Sequence, residues 1–471
     1  MNKFYITTAI PYVNGRPHIG HTLEYFQADT VRRYHDLIGD ETFLLSGADE
    51  NALKNVRAAE KEGLPVEEYL DKYAKVWQDT YELVGVHLDA FQRGSDQEKH
   101  WPGVQKLWEL CDKNGDIYKK SYEGLYCVGC ESFKTPEELV DGLCTIHQTK
   151  PELVKEENYF FKLSNYQDKL IELIESNTLK ITPENKRAEA LSFIKQGLED
   201  FSVSRSKERA QGVGVPIPGD DSQVMYVWFD ALNIYMTGIG FGTDEEKWKK
   251  WWPADLHVIG KDINRFHTVY WPAMLLSAGI ELPKQILIHG FVNAKGGEKF
   301  SKSLDNAPEP REVIDQYGLE PIRYFLLSQT PIQGDSEFTP ERFEDVYIAD
   351  LANGLGNLVA RVAKLAENNN LTAPELPTQF DPEMLKHLEQ FKFSEALGHI
   401  WEEIQKADKK VNEEKPWELE GEKAREVIED LVKKIQHIAY NLQPFLPETS
   451  EKILKQFSGE IKSSAPLFPR L

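Results

Sequence analysis

Residues 4–21 read FYITTAIPYVNGRPHIGH, and this stretch decides the fold of the N-terminal part of the chain. An apolar run from Phe4 to Ala9 predicts a β-strand, and a turn from Pro11 to Pro17 follows it. An amphipathic run from His18 to Leu37 predicts a helix, and Glu41 to Leu45 a second strand. Strand, helix and strand make a βαβ unit with a right-handed crossover and parallel strands. We therefore expect an α/β fold with a nucleotide-binding crevice beyond the carboxyl ends of its strands.

The composition is that of a multidomain globular protein. The chain has 471 residues, 41% of them hydrophobic, and is too long for one compact core. It has no apolar run of roughly 20 residues and no secretory signal, so we expect no membrane segment and a cytoplasmic location. The net charge of −22 argues against nucleic-acid binding over the whole surface, because phosphate contacts need clustered Lys and Arg. Any nucleic-acid contact must therefore be local.

The strand and helix signals change twice along the chain. Between about Tyr118 and Met225 they break into short irregular pieces, before apolar runs predict strands at 224–229, 257–260 and 285–289. This pattern predicts an insertion that splits one α/β domain. After about Asp345 an apolar stripe at helical spacing predicts a helical bundle. The stripe consists of Leu351, Leu355, Leu358, Val362 and Leu365.

Two histidines open the predicted first helix. His18 and His21 are three residues apart, which places both imidazoles on one helix face. Because a helix N-terminus favours anions, the rings can donate hydrogen bonds to a triphosphate, while Gly20 lets a purine approach the backbone closely. Taken alone, the pair is also compatible with capping or surface histidines.

Residues 292–303 read VNAKGGEKFSKS and form the second chemical motif. The glycines predict a mobile loop, on which Lys299 and Lys302 lie three residues apart. Ammonium groups on such a loop can neutralise the charge that develops on a leaving pyrophosphate. Taken alone, the run is also typical of a solvated loop or a modification site.

Together the two motifs resemble the paired signature of the class I aminoacyl-tRNA synthetases, and the resemblance covers nearly the whole chain. It implies that an amino-acid carboxylate attacks the α-phosphate of ATP, that pyrophosphate leaves, and that the amino acid passes to the terminal ribose of tRNA. The implied catalytic residues are His18, His21, Lys299 and Lys302. The implied ATP-binding residues are Asn14, His18, Gly20, His21, Lys299, Ser301 and Lys302, with Mg²⁺ accompanying ATP.

Three further segments, at residues 9–15, 226–235 and 259–267, are similar to the methionyl members of this class. The resemblance implies that Asp49 holds the α-ammonium of L-methionine. The implied side-chain pocket is lined by Ala9, Ile10, Tyr12, Trp228, Ala231, Tyr235, Ile263 and His267. Aromatic rings hold a thioether well at about 5 Å, and the polar tips of Tyr12 and His267 suit its weakly accepting sulfur. Without the flanking motifs, Trp228 and Tyr235 are equally well interpreted as core aromatics.

Three of the four cysteines crowd into the insertion beside a histidine. Cys127, Cys130, Cys144 and His147 follow the spacing C-x₂-C-x₁₃-C-x₂-H, which in a cytoplasmic protein indicates one tetrahedral zinc site. Four protein ligands leave no open position, so we expect the Zn²⁺ to be structural. The competing interpretation is chance clustering of thiols. Cys111 is expected in the core.

The helical third carries the residues implied to bind tRNA. Asn357 and Arg361 are four apart on one helix face and about a quarter-turn or more from the apolar stripe, so a ligand should reach both. In methionyl enzymes the matching residues read the anticodon, here CAU of tRNA(Met), and Pro416 and Trp417 match the segment whose tryptophan stacks on its first base. Such stacking contributes ~1–3 kcal/mol per base. Without the family, Asn357 and Arg361 are ordinary surface residues, and Trp417 is equally a core anchor.

The resemblance thus predicts a Rossmann-like parallel-sheet catalytic domain, split by a zinc-binding insertion and followed by an all-α anticodon-binding bundle. The predicted boundaries are 1–117 and 226–305 for the catalytic halves, 118–225 for the insertion, 306–345 for a stem-contact linker and 346–471 for the bundle. The insertion is shorter than the editing insertions of the leucine, isoleucine and valine enzymes. Because no oligonucleotide-binding barrel follows the helices, we expect a monomer.

The sequence departs from the family pattern at two places, and two alternative functions compete with this prediction. Asn51 and Ala52 occupy positions where the family usually has His-Gly, and Phe300 stands where Met is usual. A cysteinyl-type synthetase would need an open zinc position in its catalytic domain, and the closed four-ligand set argues against it. A catalytically silent tRNA-binding paralogue is disfavoured by the intact charged residues of both motifs.

Overall fold

A computed structural model describes residues 2–130, 132–134, 138–146, 148–300 and 307–469. The contacts divide the chain into two compact units. The first unit consists of Met1–Pro17 and Asp40–Ile288, and the second of His18–Gly39 and His289–Leu471.

The strands of the described residues, in chain order, are β1 (Lys3–Thr8), β2 (Glu41–Ala48), β3 (Ala90–Arg93), β4 (Ile117–Cys127), β5 (Ser132–Lys134), β6 (Leu139–Val140), β7 (Leu143–Cys144), β8 (Glu152–Phe161), β9 (Lys180–Thr182), β10 (Phe201–Ser202), β11 (Ser204–Ser206), β12 (Pro216–Ile217), β13 (Asp220–Met225), β14 (Leu256–Gly260), β15 (Gln285–His289), β16 (Val292–Asn293) and β17 (Ser336–Glu337).

The α-helices are α1 (Ile19–Leu37), α2 (Leu53–Glu62), α3 (Val66–Leu83), α4 (Trp101–Lys113), α5 (Gln167–Glu175), α6 (Glu184–Lys195), α7 (Val227–Ala231), α8 (Ile234–Thr237), α9 (Glu245–Trp251), α10 (Trp271–Ser277), α11 (Pro310–Tyr317), α12 (Leu319–Gln329), α13 (Pro340–Val346), α14 (Asn357–Asn368), α15 (Pro382–Leu388), α16 (Phe393–Glu414), α17 (Gly421–Leu442) and α18 (Pro447–Gln456). Within the described ranges, no helix combines the length and the apolar character needed to cross a bilayer.

A six-stranded sheet organises the first unit, in the order β3-β2-β1-β14-β15-β9. β1 pairs in parallel with both β2 and β14, as the predicted βαβ unit requires. The four residues from Tyr5 to Thr8 are fully buried, which is typical of a central strand in a parallel sheet. The predicted α/β architecture with a parallel sheet is therefore confirmed.

Residues 118–225 form mainly antiparallel layers. Strands β10-β8-β4-β5 make one sheet and β11-β13-β12 another. The long β4–β8 pair runs from Ile117 opposite Phe161 to Tyr126 opposite Glu152, and so ends next to Cys127. β9 lies in the same stretch of sequence but pairs in parallel with β15 at the edge of the main sheet.

The strand predicted over 224–229 is wrong for its second half. β13 ends at Met225, and the helix α7 begins at Val227. All five residues of α7 are buried, and a short apolar run that is buried on every side has no periodicity to distinguish strand from helix. The helix matters for the site, because it places Trp228 and Ala231 on one face, three residues apart.

The second unit contains α1 and the helices of the C-terminal third. A π-helical segment over Tyr347–Gly356 continues directly into α14, and α14 and α16 both pack on α17. The predicted apolar stripe is buried at its first four positions, and Leu365 is partly buried. The predicted helical bundle is confirmed.

A buried arginine of α12 joins three parts of the second unit. Arg323 donates to the Asp29 carboxylate of α1 at 2.5 Å and to the Thr30 hydroxyl at 3.1 Å. It also donates to the carbonyls of Pro444 and Phe445, at 3.0 and 2.5 Å, in the turn before α18. The helix that begins at the signature histidines is thereby fixed to the end of α17.

Candidate functional site

Four of the residues predicted to bind methionine, Ala9, Ile10, Tyr12 and Asp49, lie where β1 and β2 end. Tyr12 and Asp49 face each other across these ends as an isolated parallel bridge, and the amide of Asp49 donates to the carbonyl of Pro11 at 2.9 Å. Asp49 is buried, while Ala9 and Ile10 are partly buried and pack against the core of the same unit. The carboxyl edge of the sheet thus carries the group predicted to bind the α-ammonium.

Two aromatic rings flank Trp228 of α7. Tyr12 meets it edge-on with ring centroids 6.1 Å apart, and Phe266 stacks on it at 3.7 Å with the planes 9° apart. Ala231 is buried on the same helix. The indole Nε1 of Trp228 is buried and has no hydrogen-bond partner among the described residues. Because an unpaired buried N–H is costly, this position is typical of a surface that a ligand completes.

A hydrogen-bonded chain fixes the tautomer of His267. Its Nδ1 donates to the carbonyl of Ile263 at 3.0 Å, so its Nε2 accepts from the Tyr235 hydroxyl at 2.8 Å. Burial lowers the pKa of His267 to about 4. The ring is therefore neutral at physiological pH, and the pair forms an uncharged wall that suits a thioether.

A second buried histidine beside this pair was missed by the sequence analysis. The Nδ1 of His257 in β14 lies 2.5 Å from the Oγ1 of Thr7 in β1, as the register of the two strands requires. Its ring centroid lies 4.5 Å from that of Tyr235, and burial holds the pKa of His257 well below its usual value. The strand that contains it was predicted, but no motif marks the residue.

The turn after β2 is held by a buried carboxylate. Glu50 is fully buried and accepts from Nε and Nη2 of Arg93, at 2.9 and 2.6 Å, and from the amide and hydroxyl of Ser95, at 2.9 and 2.6 Å. Asn55 donates to the carbonyls of Asp49 and Glu50 at 2.9 and 3.0 Å. These bonds fix the backbone that carries the Asp49 carboxylate.

Lys54 of α2 is another residue that the sequence analysis missed. Its Nζ lies 3.2 Å from the centroid of the Tyr12 ring and donates to the carbonyl of Gly129 at 3.3 Å. Gly129 belongs to the loop Cys127–Cys130, so Lys54 contacts both the predicted methionine pocket and the cysteine loop. A single lysine in an amphipathic helix gives no signal in the sequence that could have marked it.

In the second unit, the side chains of His18 and His21 cap the N-terminus of α1. The backbone N–H of His18 donates to Nδ1 of His21 at 3.0 Å, and the N–H of Gly20 donates to Nδ1 of His18 at 3.1 Å. This is a capping box made of two imidazoles, with ring centroids 3.8 Å apart. Where Nδ1 accepts these bonds, a neutral ring carries its proton on Nε2; the Nδ1 of His21 also lies 3.3 Å from the carbonyl oxygen of His18. The capping role considered from the sequence is therefore correct, and for His18 it favours the tautomer in which Nε2 can donate to a phosphate.

A side chain at residue 20 would crowd this cap. A Cβ at residue 20 would lie 3.0 Å from the His18 ring and 3.3 Å from the carbonyl oxygen of Val292. The close approach of a purine to Gly20 stays a prediction. Phe300, which replaces the usual Met, lies with its ring centroid 5.3 Å from that of His18, so the departure keeps an apolar contact with the signature histidine. Asn14, predicted to bind ATP, is exposed in the first unit.

The loop predicted to carry Lys299 and Lys302 is described as far as residue 300. A 3₁₀ turn over Lys295–Gly297 has its two glycines at φ 76° and 77°, a left-handed conformation that favours glycine. Lys299 is exposed, with its Nζ 5.0 Å from the centroid of the Phe291 ring. The predicted residues Ser301 and Lys302 lie outside the described residues.

Three cysteines of the insertion come together. The Sγ atoms of Cys127, Cys130 and Cys144 all lie within 4.8 Å of one another, and no other such group of metal ligands occurs in the described part of the chain. Three thiols at this spacing suit Zn²⁺. The fourth predicted ligand, His147, lies outside the described residues. Cys111 is buried elsewhere, and burial raises its pKa to about 12, so its assignment to the core is confirmed.

The predicted anticodon residues begin on α14. Asn357 is its first residue and is exposed, and Arg361 follows one turn later, partly buried. The guanidinium of Arg361 donates to the Asp408 carboxylate at 2.8 Å and to the Asn412 side chain at 2.7 Å. Both partners lie in α16, so these contacts orient the guanidinium along that helix.

Trp417 lies in a 3₁₀ turn over Pro416–Glu418, directly after α16. Pro416 is buried, whereas the tryptophan is 53% exposed. An indole with this exposure does not anchor a core, so that alternative is excluded.

Comparison with known proteins identifies the family. A sequence profile described as tRNA synthetases class I (M) matches residues 4–137 and 130–363. The chain is 42% identical to the methionine–tRNA ligase of Clostridium acetobutylicum, over 98% of this chain and 74% of that protein. It is 39% identical to the methionine–tRNA ligase of Brucella suis, over 99% and 98% respectively. The chain belongs to the class I methionyl-tRNA synthetase family.

A solved structure gives the same result for the fold. The Mycobacterium tuberculosis methionyl-tRNA synthetase bound by methionyl-adenylate has a TM-score of 0.91 to this chain at 34% identity, covering 99% of this chain and 100% of the other. Membership of the methionyl-tRNA synthetase family confirms the predicted fold class and makes the protein an aminoacyl-tRNA ligase. The cysteinyl alternative is thereby excluded.

Proposed function

We propose that this protein activates L-methionine with ATP to methionyl-adenylate and pyrophosphate, and then transfers methionine to the 3′ end of tRNA(Met) for translation initiation and elongation. The observation that carries the proposal is the neutral aromatic wall of the first unit, formed by Trp228, Phe266 and the Tyr235–His267 pair. A wall without charge favours a thioether over side chains that carry a charge.

Methionine is bound at both of its ends by the first unit. The Asp49 carboxylate pairs with the α-ammonium, and the ring of Trp228 packs on the thioether. The Tyr235–His267 pair closes the end of the side-chain pocket. Its remaining lining comes from Ala9, Ile10, Tyr12, Ala231 and Ile263. A larger side chain is rejected by shape, and a polar one by its cost of desolvation.

All of the residues proposed to bind ATP belong to the second unit except Asn14, which belongs to the first. In the first step a methionine carboxylate oxygen attacks the α-phosphorus, and the bond from that phosphorus to the oxygen bridging the β-phosphate breaks, which releases pyrophosphate. The Nε2–H groups of His18 and His21 donate to the phosphate oxygens as charge develops. Lys299 and Lys302 neutralise the leaving pyrophosphate, and Mg²⁺ enters as the counter-ion of ATP. Asn14, Gly20 and Ser301 are proposed to contact the nucleotide.

In the second step a hydroxyl of the terminal ribose of tRNA attacks the carbonyl carbon of the adenylate, and AMP leaves. The anticodon CAU is read by Asn357 and Arg361, and its first base stacks on Trp417, which Pro416 holds in position. The orientation of Arg361 by its contacts with α16 and the exposure of Trp417 support this role.

One Zn²⁺ is proposed at Cys127, Cys130, Cys144 and His147. The close approach of the three thiols supports it, and four protein ligands would fix the insertion without offering an open position for chemistry. The domain boundaries, the cytoplasmic location and the monomeric state stay predictions; light scattering of the purified protein tests the last.

The deciding experiment is ATP–pyrophosphate exchange with a panel of amino acids. We expect exchange with methionine and none with cysteine or leucine. Exchange with cysteine or leucine but not methionine would refute the assignment, and no exchange with any amino acid would favour the silent tRNA-binding paralogue. Aminoacylation of transcripts with the anticodon CAU, compared with an altered anticodon, tests the second step.

A further inference from the structure

Asn51, which stands where the family usually has His, joins two parts of the methionine pocket. Its Nδ2 donates to the Asp230 carboxylate at 2.6 Å and to the carbonyl of Gly94 at 2.9 Å. Asn51 lies two residues after Asp49, and Asp230 lies two residues after Trp228. Asn51 is 8% exposed and Asp230 1% exposed, so water has little access to this bond.

The second oxygen of Asp230 is held as well. His100, fully buried at the start of α4, contacts it through Nε2 at 2.6 Å, and its Nδ1 lies 2.7 Å from the hydroxyl of Thr237. A neutral His100 satisfies both contacts, since Nε2–H donates to the carboxylate and Nδ1 accepts from the hydroxyl. The two carboxylate oxygens of Asp230 therefore accept from different residues. Asn51 is the donor that belongs to the turn after β2, which also carries Asp49.

We propose that Asn51 is a positioning residue that fixes the distance between the ammonium-binding carboxylate of Asp49 and the thioether-binding ring of Trp228. The inference rests on the proposed function. These two groups bind opposite ends of one small ligand, and they lie on separate segments, the turn after β2 and the helix α7. A buried hydrogen bond to a carboxylate is about twice as strong as one between neutral groups, so it is well suited to hold the two segments together.

The same geometry explains how the chain accommodates the departure from His. An amide has two N–H donors on one nitrogen, and Asn51 uses them for Asp230 and for Gly94. Removal of both donors leaves a carboxylate oxygen and a carbonyl without this partner inside the protein. We expect α7 to shift relative to the turn in response, so that methionine binding weakens while ATP binding, which is assigned to a different set of residues, does not.

The test compares Asn51→Leu, which has a similar size but no donor, with a matched control. Asn158→Leu changes an equally buried asparagine of β8, whose Nδ2 is 3.4 Å from Glu156. The KM values for methionine and ATP and the kcat are measured by pyrophosphate exchange, and folding by thermal melting. We expect N51L to raise the KM for methionine about tenfold, the factor that corresponds to one charge-assisted hydrogen bond, and to change the KM for ATP by less than about twofold. N158L should leave both KM values within about twofold.

A second measurement tests whether Asn51 sets the distance between Asp49 and Trp228. Ethionine is one methylene longer than methionine. N51L should prefer methionine over ethionine less strongly than the wild type does, because a relaxed spacing accommodates the longer ligand. Asn51→His restores the usual residue and one donor, so it should keep the KM for methionine within about threefold of the wild-type value.

An unchanged KM for methionine in folded N51L, or equal increases in both KM values, would overturn the proposal. If N51L does not fold, Asn51→Ser decides: its single hydroxyl can serve only one acceptor, and we expect about a threefold increase in the KM for methionine. An unchanged value in N51S would also overturn it. Absence of methionine-dependent exchange in the wild type would reject the proposed function itself, whereas normal wild-type exchange with unaffected variants rejects only the role of Asn51.

Discussion

The hydroxyl of Tyr235 donates to Nε2 of His267 at 2.8 Å, and it donates in this direction only while His267 is neutral. An imidazolium has N–H donors at both nitrogens and no acceptor, so protonation would reverse the bond, with the hydroxyl oxygen as acceptor, and place a charge in a buried aromatic wall. Protonation of His267 inside the folded protein is therefore unfavourable.

We expect the free energy of unfolding to fall as the pH falls from about 6.5 towards 4. In the unfolded chain a histidine binds its proton below about pH 6.5, whereas burial holds the pKa of folded His267 at about 4. The unfolded state therefore binds more protons in this window, and each pH unit costs about 1.4 kcal/mol per buried histidine. Above pH 6.5 this histidine no longer lowers the free energy of unfolding. Urea unfolding between pH 7.5 and 4.5 measures this slope.

His267→Gln should reduce the slope of the unfolding free energy against pH by the amount that one bound proton contributes, because the amide of glutamine does not titrate. Equal slopes in H267Q and the wild type would contradict the assignment of a depressed pKa to His267.

Gly20→Ala should lower the rate of pyrophosphate exchange by about tenfold to a hundredfold. The added Cβ would lie 3.0 Å from the His18 ring, and displacement of a catalytic group by a fraction of an ångström to 1 Å has effects of this size. Gly398→Ala in α16 is the control, since no atom lies within 4 Å of its Cβ position and alanine favours a helix by ~1 kcal/mol. A G20A enzyme with wild-type exchange would show that the His18 ring has room to move.

The sequence predicts the main architecture because its signals there are local. Apolar runs bounded by turn residues predicted β1, β2, β14 and β15, and helical spacing predicted α1 and the bundle. The failure at 227–229 arose because three buried apolar residues have no periodicity.

The site is only partly predictable for the same reason. The signature histidines and the cysteines were found because each set has a fixed spacing. Asn51 and Asp230 are 179 positions apart, and Thr7 and His257 are 250 apart. Such pairs depend on strand register and on helix packing, which leave no pattern in a single sequence.

The purified protein should contain about one zinc per chain by elemental analysis. Cys144→Ser should lose most of that metal and lower the melting temperature, because a structural zinc contributes directly to folding. Cys111→Ser should retain the zinc, since Cys111 is buried in the core and is not part of the cysteine cluster. His147→Ala tests the fourth ligand and should weaken zinc retention in a chelator titration. A C144S protein with full zinc content would exclude the proposed site.

Trp417→Ala should weaken tRNA(Met) binding by ~1–3 kcal/mol, the contribution of one stacked base. Methionine-dependent exchange without tRNA should not change, and neither should the melting temperature, because the indole is 53% exposed. Trp401 is the matched control: it is 8% exposed and its ring stacks 4.3 Å from that of Tyr324, so W401A should destabilise the fold by ~3–5 kcal/mol. Unchanged tRNA affinity in W417A would contradict the stacking role of Trp417.

Arg323→Met should destabilise the second unit by about 3–5 kcal/mol, because it removes one of the two guanidinium groups on the buried Asp29 carboxylate and leaves the carbonyls of Pro444 and Phe445 without this donor. The double variant R33M/R323M also removes the second guanidinium, which lies 2.6 Å from the same carboxylate oxygen, so its free energy of unfolding should fall below that of R323M alone. Arg342, which is exposed and donates to Gln329 at 3.2 Å, provides the control, and R342M should stay within about 0.5 kcal/mol of the wild type. Urea unfolding of the three variants measures these differences. Equal stability of R323M and R342M would show that the link between α1 and the end of α17 contributes nothing, whereas a further loss in the double variant would identify the pairing of the Asp29 charge as part of the stabilisation.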